Sequence, residues 1–205
     1  MTSVSRRLLG VLTDLGYLLL SRSPRLRPFY RRWAGRRYRT LAPLYDGIAE
    51  HDPLYLIPLR AALERLEITP RWIAEIGAGT GAATTAIRDR FPFAAVVALD
   101  ATREMLRQIP GRPEGAVYRV VGDAFALPLR AGSAGLTVVH NAPFDLGELL
   151  RATMPSGLVL IVLSSARWIP SAMRSRLIGS SHVRTETSGT QWTSGPGVIW
   201  VFQRR

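Results

Sequence analysis

From residue 70 onward the chain alternates short apolar runs with segments whose apolar residues recur at helical spacing. That is the pattern of strands and crossover helices in a doubly wound α/β sheet. Trp72 to Ile76 reads as a first strand, which breaks at a glycine-rich turn into a helix from Thr80 to about Arg90. Ala94 to Leu99 is a second strand ending at Asp100, followed by a helix over Thr102–Gln108. Strands are expected over Val117–Val121 and Leu136–Val139, a helix over Asp145–Met154, and a strand over Gly157–Leu163. The last is almost purely apolar, as a strand covered on both faces must be. Val198–Phe202 reads as a late strand, antiparallel at or near the sheet edge. The connections leave no room for a separate substrate domain downstream, so specificity elements are expected from residues 1–70.

The first forty residues follow another pattern. Val4, Leu8, Val11, Leu15 and Leu18 share one line of a helix, with Arg6, Thr13 and Asp14 away from it. Asp14 interrupts the apolar stretch, and Arg22-Ser-Pro-Arg-Leu-Arg27 follows it. The run is therefore not expected to act as an export signal, which needs a small-residue cleavage site. Nor is it expected to cross a bilayer, which takes about 20 apolar residues.

Charge sharpens this division. The net charge is +12, and all 27 basic residues are arginine. Residues 1–40 hold ten arginines and one acid, whereas residues 41–205 hold seventeen arginines and fourteen acids. We therefore divide the chain into a basic amphipathic extension, 1–40, and an α/β domain, 41–205. Between Arg22 and Arg39, eight arginines interleave with Phe29, Tyr30, Trp33 and Tyr38. An anionic membrane surface suits that composition, and it is the leading expectation, with a cytoplasmic protein peripheral to the membrane. A helical cap on the domain itself and a nucleic-acid contact stay open as alternatives. The chain has no cysteine, which excludes disulfides, thiolate metal sites and a cysteine nucleophile.

The candidate chemistry begins at Glu75-Ile-Gly-Ala-Gly-Thr-Gly-Ala-Ala-Thr84. Gly77-x-Gly79-x-x-Ala82 would pass as a dinucleotide fingerprint, and Gly77-x-Gly79-x-Gly81 equally as the loop for S-adenosylmethionine (SAM). Asp100, closing the second strand, can accept hydrogen bonds from both ribose hydroxyls and so indicates a nucleoside without choosing between the two. The third piece is Val121-Gly-Asp-Ala-Phe-Ala-Leu-Pro-Leu129. Together the three segments resemble the class I SAM-dependent methyltransferase family, its quinone- and lipid-directed members included. The likeness covers residues 41 to 163 and, loosely, the tail. Ala42-Pro-Leu-Tyr-Asp46 resembles an element upstream of the loop in those members, and Met154-Pro-Ser-Gly-Leu-Val-Leu-Ile161 the usual lead into strand five.

The resemblance implies a Rossmann-like, mostly parallel seven-stranded sheet with an antiparallel strand near its edge, plus an N-terminal helical extension. It implies SAM as cofactor and S-adenosylhomocysteine (SAH) as product. The cofactor residues would be Glu75, Gly77, Ala78, Gly79, Thr80, Gly81, Asp100, Ala101, Met105, Asp123, Ala124 and His140. Asp123 would accept from the adenine amino group, and Met105 would line the ring. Glu75 suits the ammonium of the aminoacyl group, its other reading being a partly exposed strand residue. His140 and Tyr45 are the catalytic candidates, His140 as a base that titrates near neutrality. A histidine satisfied by backbone is the alternative. Asn141-Ala-Pro-Phe144 partly resembles the motif of amino-directed members. No spacing suggests a metal site. The expected function is methyl transfer from SAM to an amphiphilic or lipid-like acceptor at a membrane surface. A soluble small-molecule acceptor, a nucleic-acid or protein amine, and a SAM-binding subunit without turnover remain the alternatives.

Overall fold

The computed structural model describes residues 24–50, 55–111, 115–164, 187–194 and 197–204. The amphipathic line from Val4 to Leu18 lies outside the described residues. After a single 3-10 turn, Pro24–Leu26, a long helix α1 spans Arg27–Glu50, and α2 spans Ile57–Glu64. Strands and helices then alternate: β1 Trp72–Ile76, α3 Ala82–Arg90, β2 Ala95–Asp100, α4 Arg103–Leu106 and β3 Val117–Val121. β4 Ala134–His140, α5 Leu146–Ala152 and β5 Thr153–Leu163 follow, and β6 Thr187–Ser194 and β7 Gly197–Arg204 complete the sheet.

The sheet order is β3-β2-β1-β4-β5-β7-β6. The first five strands run parallel, while β7 pairs antiparallel with both β5 and β6. The chain starts in the middle at β1, moves outward to β3, then returns to lay β4 on the other side of β1. That reversal opens a crevice beyond the carboxyl ends of β1 and β4, where ligands of doubly wound folds sit.

Alternation along the central strands divides the core between the two faces. Ile73, Leu136, Val138, Leu160 and Val162 pack with α2 and α3 on one side. Ala74, Ile76, Val139, Val159 and Ile161 pack with α5 on the other. Thr137, buried among them, is satisfied by Thr153, their hydroxyl oxygens 2.7 Å apart.

The structure departs from the sequence-based expectations in four places. β7 lies near the edge as expected, but the edge strand beyond it, β6, was not among the strands read from the sequence: Thr-Ser-Gly-Thr-Gln-Trp-Thr-Ser is too polar to stand out. The strand expected from Gly157 starts at Thr153, directly from α5. The helix expected over Thr102–Gln108 is one turn, Arg103–Leu106. α1 runs without interruption through residue 40, so the division drawn there is a change of composition and not a break in the backbone.

α1 is tied to the domain at its first residue and near its middle. Arg27 Nη2 lies 3.0 Å from Asp145 Oδ2, with its guanidinium 4.7 Å from the Phe125 ring centroid, and Arg39 Nε lies 3.5 Å from Glu104 Oε1. Such partly exposed ion pairs contribute at most about 1 kcal/mol each. The apolar anchor is Ala42, which is buried.

Leu160 is fully buried at the centre of one core face. Leu160→Ala should therefore lower stability by about 2–5 kcal/mol, read as a lower urea midpoint at unchanged slope.

Candidate active site

The glycine loop is shaped by contacts that only glycine allows. Gly77, Gly79 and Gly81 all have positive φ, at 75°, 55° and 99°. A Cβ on Gly77 would lie 2.1 Å from Ala142 Cβ, so residue 77 has no room for a side chain. At Gly79 nothing lies within 4 Å of the place a Cβ would take, and the constraint there is the backbone angle alone. The N–H groups of Gly77 and Ala78 both donate to Leu99 O, at 2.8 and 2.9 Å, which stitches the loop to the end of β2.

Asp100 completes that junction. Its Oδ2 accepts from Gly79 N–H at 3.0 Å and its Oδ1 from Thr102 N–H at 2.8 Å. Burial raises its carboxyl above the ordinary 3.8, and the N–H donors of Thr102 and Gly79 oppose that rise. Each oxygen keeps a further lone pair for an incoming hydroxyl.

Beside this junction lies a cavity of about 90 Å³. Of the residues expected to hold a cofactor, Gly77, Gly79, Asp100, Ala101, Met105 and Ala124 line it. Tyr38, Thr102, Gly122, Asn141, Ala142 and Pro143 also line it. Tyr38 reaches the wall from α1, and no periodicity in that arginine-rich stretch signals its role.

Glu75, Ala78, Thr80, Gly81, Asp123 and His140 are not in the lining. Ala78 faces inward, clustered with Ala98, Leu106 and Ile109. Gly81 is the left-handed N-cap of α3. Asp123 Oδ1 accepts from Phe125 N–H at 3.0 Å, capping its own turn, while its neighbours Gly122 and Ala124 face the cavity. Tyr45 lies in α1, and its side chain is outside the described residues.

Glu75 is not the partly exposed strand residue of the alternative reading; it is buried at the base of the loop. Thr84 Oγ1 donates to its Oε2 at 2.6 Å, whereas Oε1 and the nearby loop hydroxyl Thr80 Oγ1 are buried without a hydrogen-bond partner. Desolvation pushes its carboxyl from 4.5 up to about 8, against the pull of the Thr84 hydrogen bond. A cation at the loop would favour its ionised form.

His140 is likewise removed from the wall. Its Nε2 lies 3.1 Å from Tyr55 O and 2.9 Å from Ser164 Oγ, and the Tyr55 ring meets it edge-on at 4.7 Å. Burial lowers its pKa from 6.5 to about 4, so the imidazole is neutral near pH 7. This corrects the expectation of a base poised near neutrality: burial holds the ring neutral, with Nε2 against backbone and Ser164. Its neighbour Asn141 adopts φ 51°, accepts from Ser164 N–H at 2.8 Å and lines the cavity. Among the described residues there is no group of His, Cys, Asp or Glu able to hold a metal ion.

Asp100 at the end of β2 and the apolar Met105 would suit the ribose and adenine of SAM, and the unpartnered Glu75 oxygen beneath the loop its aminoacyl end. Residues 73–155 match the family described as a methyltransferase domain. A malonyl-[acyl-carrier protein] O-methyltransferase from Methylococcus capsulatus is 35% identical over 122 residues, 58% of this chain and 44% of the relative. One of the same name from Halorhodospira halophila is 31% identical over 139 residues, 63% and 47% of the two chains. The chain thus spans about half the length of the curated relatives it matches. The plantazolicin methyltransferase BpumL, solved with SAH, has the same fold, with a TM-score of 0.60 and 13% identity over 95% of this chain and 100% of that one. Residues 73–155 thus match a methyltransferase domain, for which SAM is the cofactor.

Glu75 has its folded pKa raised, so the stability it confers is full below pH 4.5 and is lost as pH rises toward about 8. Thermal melts of the ligand-free protein across that range should show wild type losing stability relative to Glu75→Gln. Asp100→Ala should weaken SAH binding at least about ten-fold, or 1.4 kcal/mol, by calorimetry.

Proposed function

We propose that the protein transfers the methyl group of SAM to an amphiphilic acceptor reached from an anionic membrane surface. The observation that carries this reading is the two-sided use of α1. Tyr38 stands in the cavity wall, while Phe29 and Trp33 are 76% and 50% exposed beside the exposed Arg32 and Arg36. Exposed aromatics spaced four residues apart and flanked by arginine combine apolar burial with attraction to anionic lipid. One helix then meets the lipid with its outer side and borders the acceptor with its inner side. No helix among the described residues is long and apolar enough to cross a membrane, so the contact in this reading is peripheral.

In this function Asp100 would hold the ribose hydroxyls, the glycine loop and Glu75 the aminoacyl end, and Met105 and Ala124 the adenine. SAM supplies an electrophilic methyl group whose transfer is a direct displacement. The chain contributes alignment, which can supply much of the barrier reduction. Asn141 and Tyr38 are placed to orient the acceptor.

A second reading is supported by the two named relatives: the acceptor is a carboxylate on an acyl group borne by a carrier protein. A carboxylate is already ionised near pH 7 and needs no general base, in keeping with the neutral, enclosed His140.

Labelled SAM given to a cell extract, followed by fractionation into lipid, small-molecule, protein and nucleic-acid pools, tests both. Label in lipid, with flotation on anionic vesicles that Phe29→Ser/Trp33→Ser reduces at least about ten-fold, is the expected outcome. Label released with acyl groups cleaved from protein, with flotation unchanged by the variant, would move the assignment to the carrier-bound acceptor.

A further inference from the structure

α4 has two functional sides. Met105 lines the cofactor cavity, whereas Arg103 and Arg107, four residues apart, line a separate cleft of about 410 Å³ together with Leu106, Arg119 and Val121. Arg119 comes from β3, the outermost strand at that end of the sheet. Its Nε–H donates to Leu106 O at 3.0 Å and its Nη2–H to Ile109 O at 2.7 Å. These bonds satisfy carbonyls at the end of α4 and fix the guanidinium plane, so little ordering remains to be done when a ligand arrives. No carboxylate pairs with any of the three arginines among the described residues. The acid of α4, Glu104, faces Arg39 instead.

Three like charges over an apolar floor of Leu106 and Val121 repel one another, and an anion between them relieves that repulsion. The planar, multi-donor guanidinium group matches phosphate oxygens in particular. The geometry points to a phosphate-binding site in the α4–β3 cleft, distinct from the cofactor cavity. SAM has no phosphate, so the site serves a different ligand, either a free phosphate group or the phosphate of a lipid headgroup.

The test uses the full chain in two arms at fixed ionic strength. Inorganic phosphate is titrated against a chloride control, and phosphatidylcholine vesicles are compared with and without phosphatidic acid. Wild type is set against Arg103→Gln/Arg107→Gln, with SAH affinity as the check on folding. Saturable binding in either arm, weakened at least about ten-fold in the variant with SAH affinity retained, is expected. The arm that binds names the source of the phosphate. Running the vesicle arm also in a Phe29→Ser/Trp33→Ser background separates this cleft from the outer side of α1. Absence of saturable binding in both arms, or equal binding by wild type and variant, would overturn the assignment. If the double variant loses SAH affinity, Arg107→Gln alone is read by the same two outcomes.

Discussion

The near-contact of Gly77 with Ala142 is the constraint on which the site depends. β1 and β4 lie side by side, and the loops leaving their carboxyl ends must turn away without colliding. The absence of a side chain at residue 77 lets the backbone pass 142 closely, and its positive φ directs the loop back over the sheet. From that position Gly79 N–H reaches the Asp100 carboxylate, and Leu99 O accepts from both Gly77 and Ala78. Asn141, also left-handed, keeps the opposing loop folded back through its bonds to Ser164 and Val162. A larger residue at 77 would force these two loops apart and separate the acid from the amide it orients.

Charge is arranged by depth. Two carboxyls, Glu75 and Asp100, sit inside a protein whose net charge is +12, and both have their pKa values raised by burial. Taking a carboxylate out of water is costly unless it is paired or protonated. A cation arriving beside such a carboxyl favours its ionised form, so the attraction develops as the ligand binds. Arginines of α1 and β3, with Arg103 and Arg107 at α4, lie further out, where solvent bears much of their cost. Cation recognition within and anion recognition at the surface therefore coexist without cancelling, because the low dielectric and the wet surface scale the two interactions differently.

The parallel strands were legible because burial on both faces demands continuous apolar runs, as in Leu158–Leu163. The glycine loop was legible because left-handed backbone leaves a compositional trace at Gly77, Gly79 and Gly81. β6 was not, since an edge strand satisfied through one neighbour tolerates Thr, Ser and Gln. The role of Tyr38 was hidden too, because its contact depends on where α1 crosses the domain and not on local periodicity. Asp123 and His140 show a different limit. A motif names a position, but whether the side chain turns to a ligand or to its own backbone is decided by packing: Asp123 Oδ1 accepts from its own turn, and His140 Nε2 lies against Tyr55 O. Cavity-wall positions such as Asp100 and Met105 were found because a strand end and the following helical turn are placed by topology alone.

The interior position of β7 has a consequence for biosynthesis. β5 carries the most apolar run of the sheet, and its free side is closed by residues 198–203, which follow it by some forty positions in the chain. While the chain is being made, the parallel half from β1 to β5 can assemble first, with the backbone of Leu158–Leu163 left as an open apolar edge until β7 emerges. That interval is the period in which the nascent chain is most exposed to pairing with another copy of itself. Slowed translation beyond residue 163 would lengthen it, and a chaperone that shields extended apolar segments would matter most there.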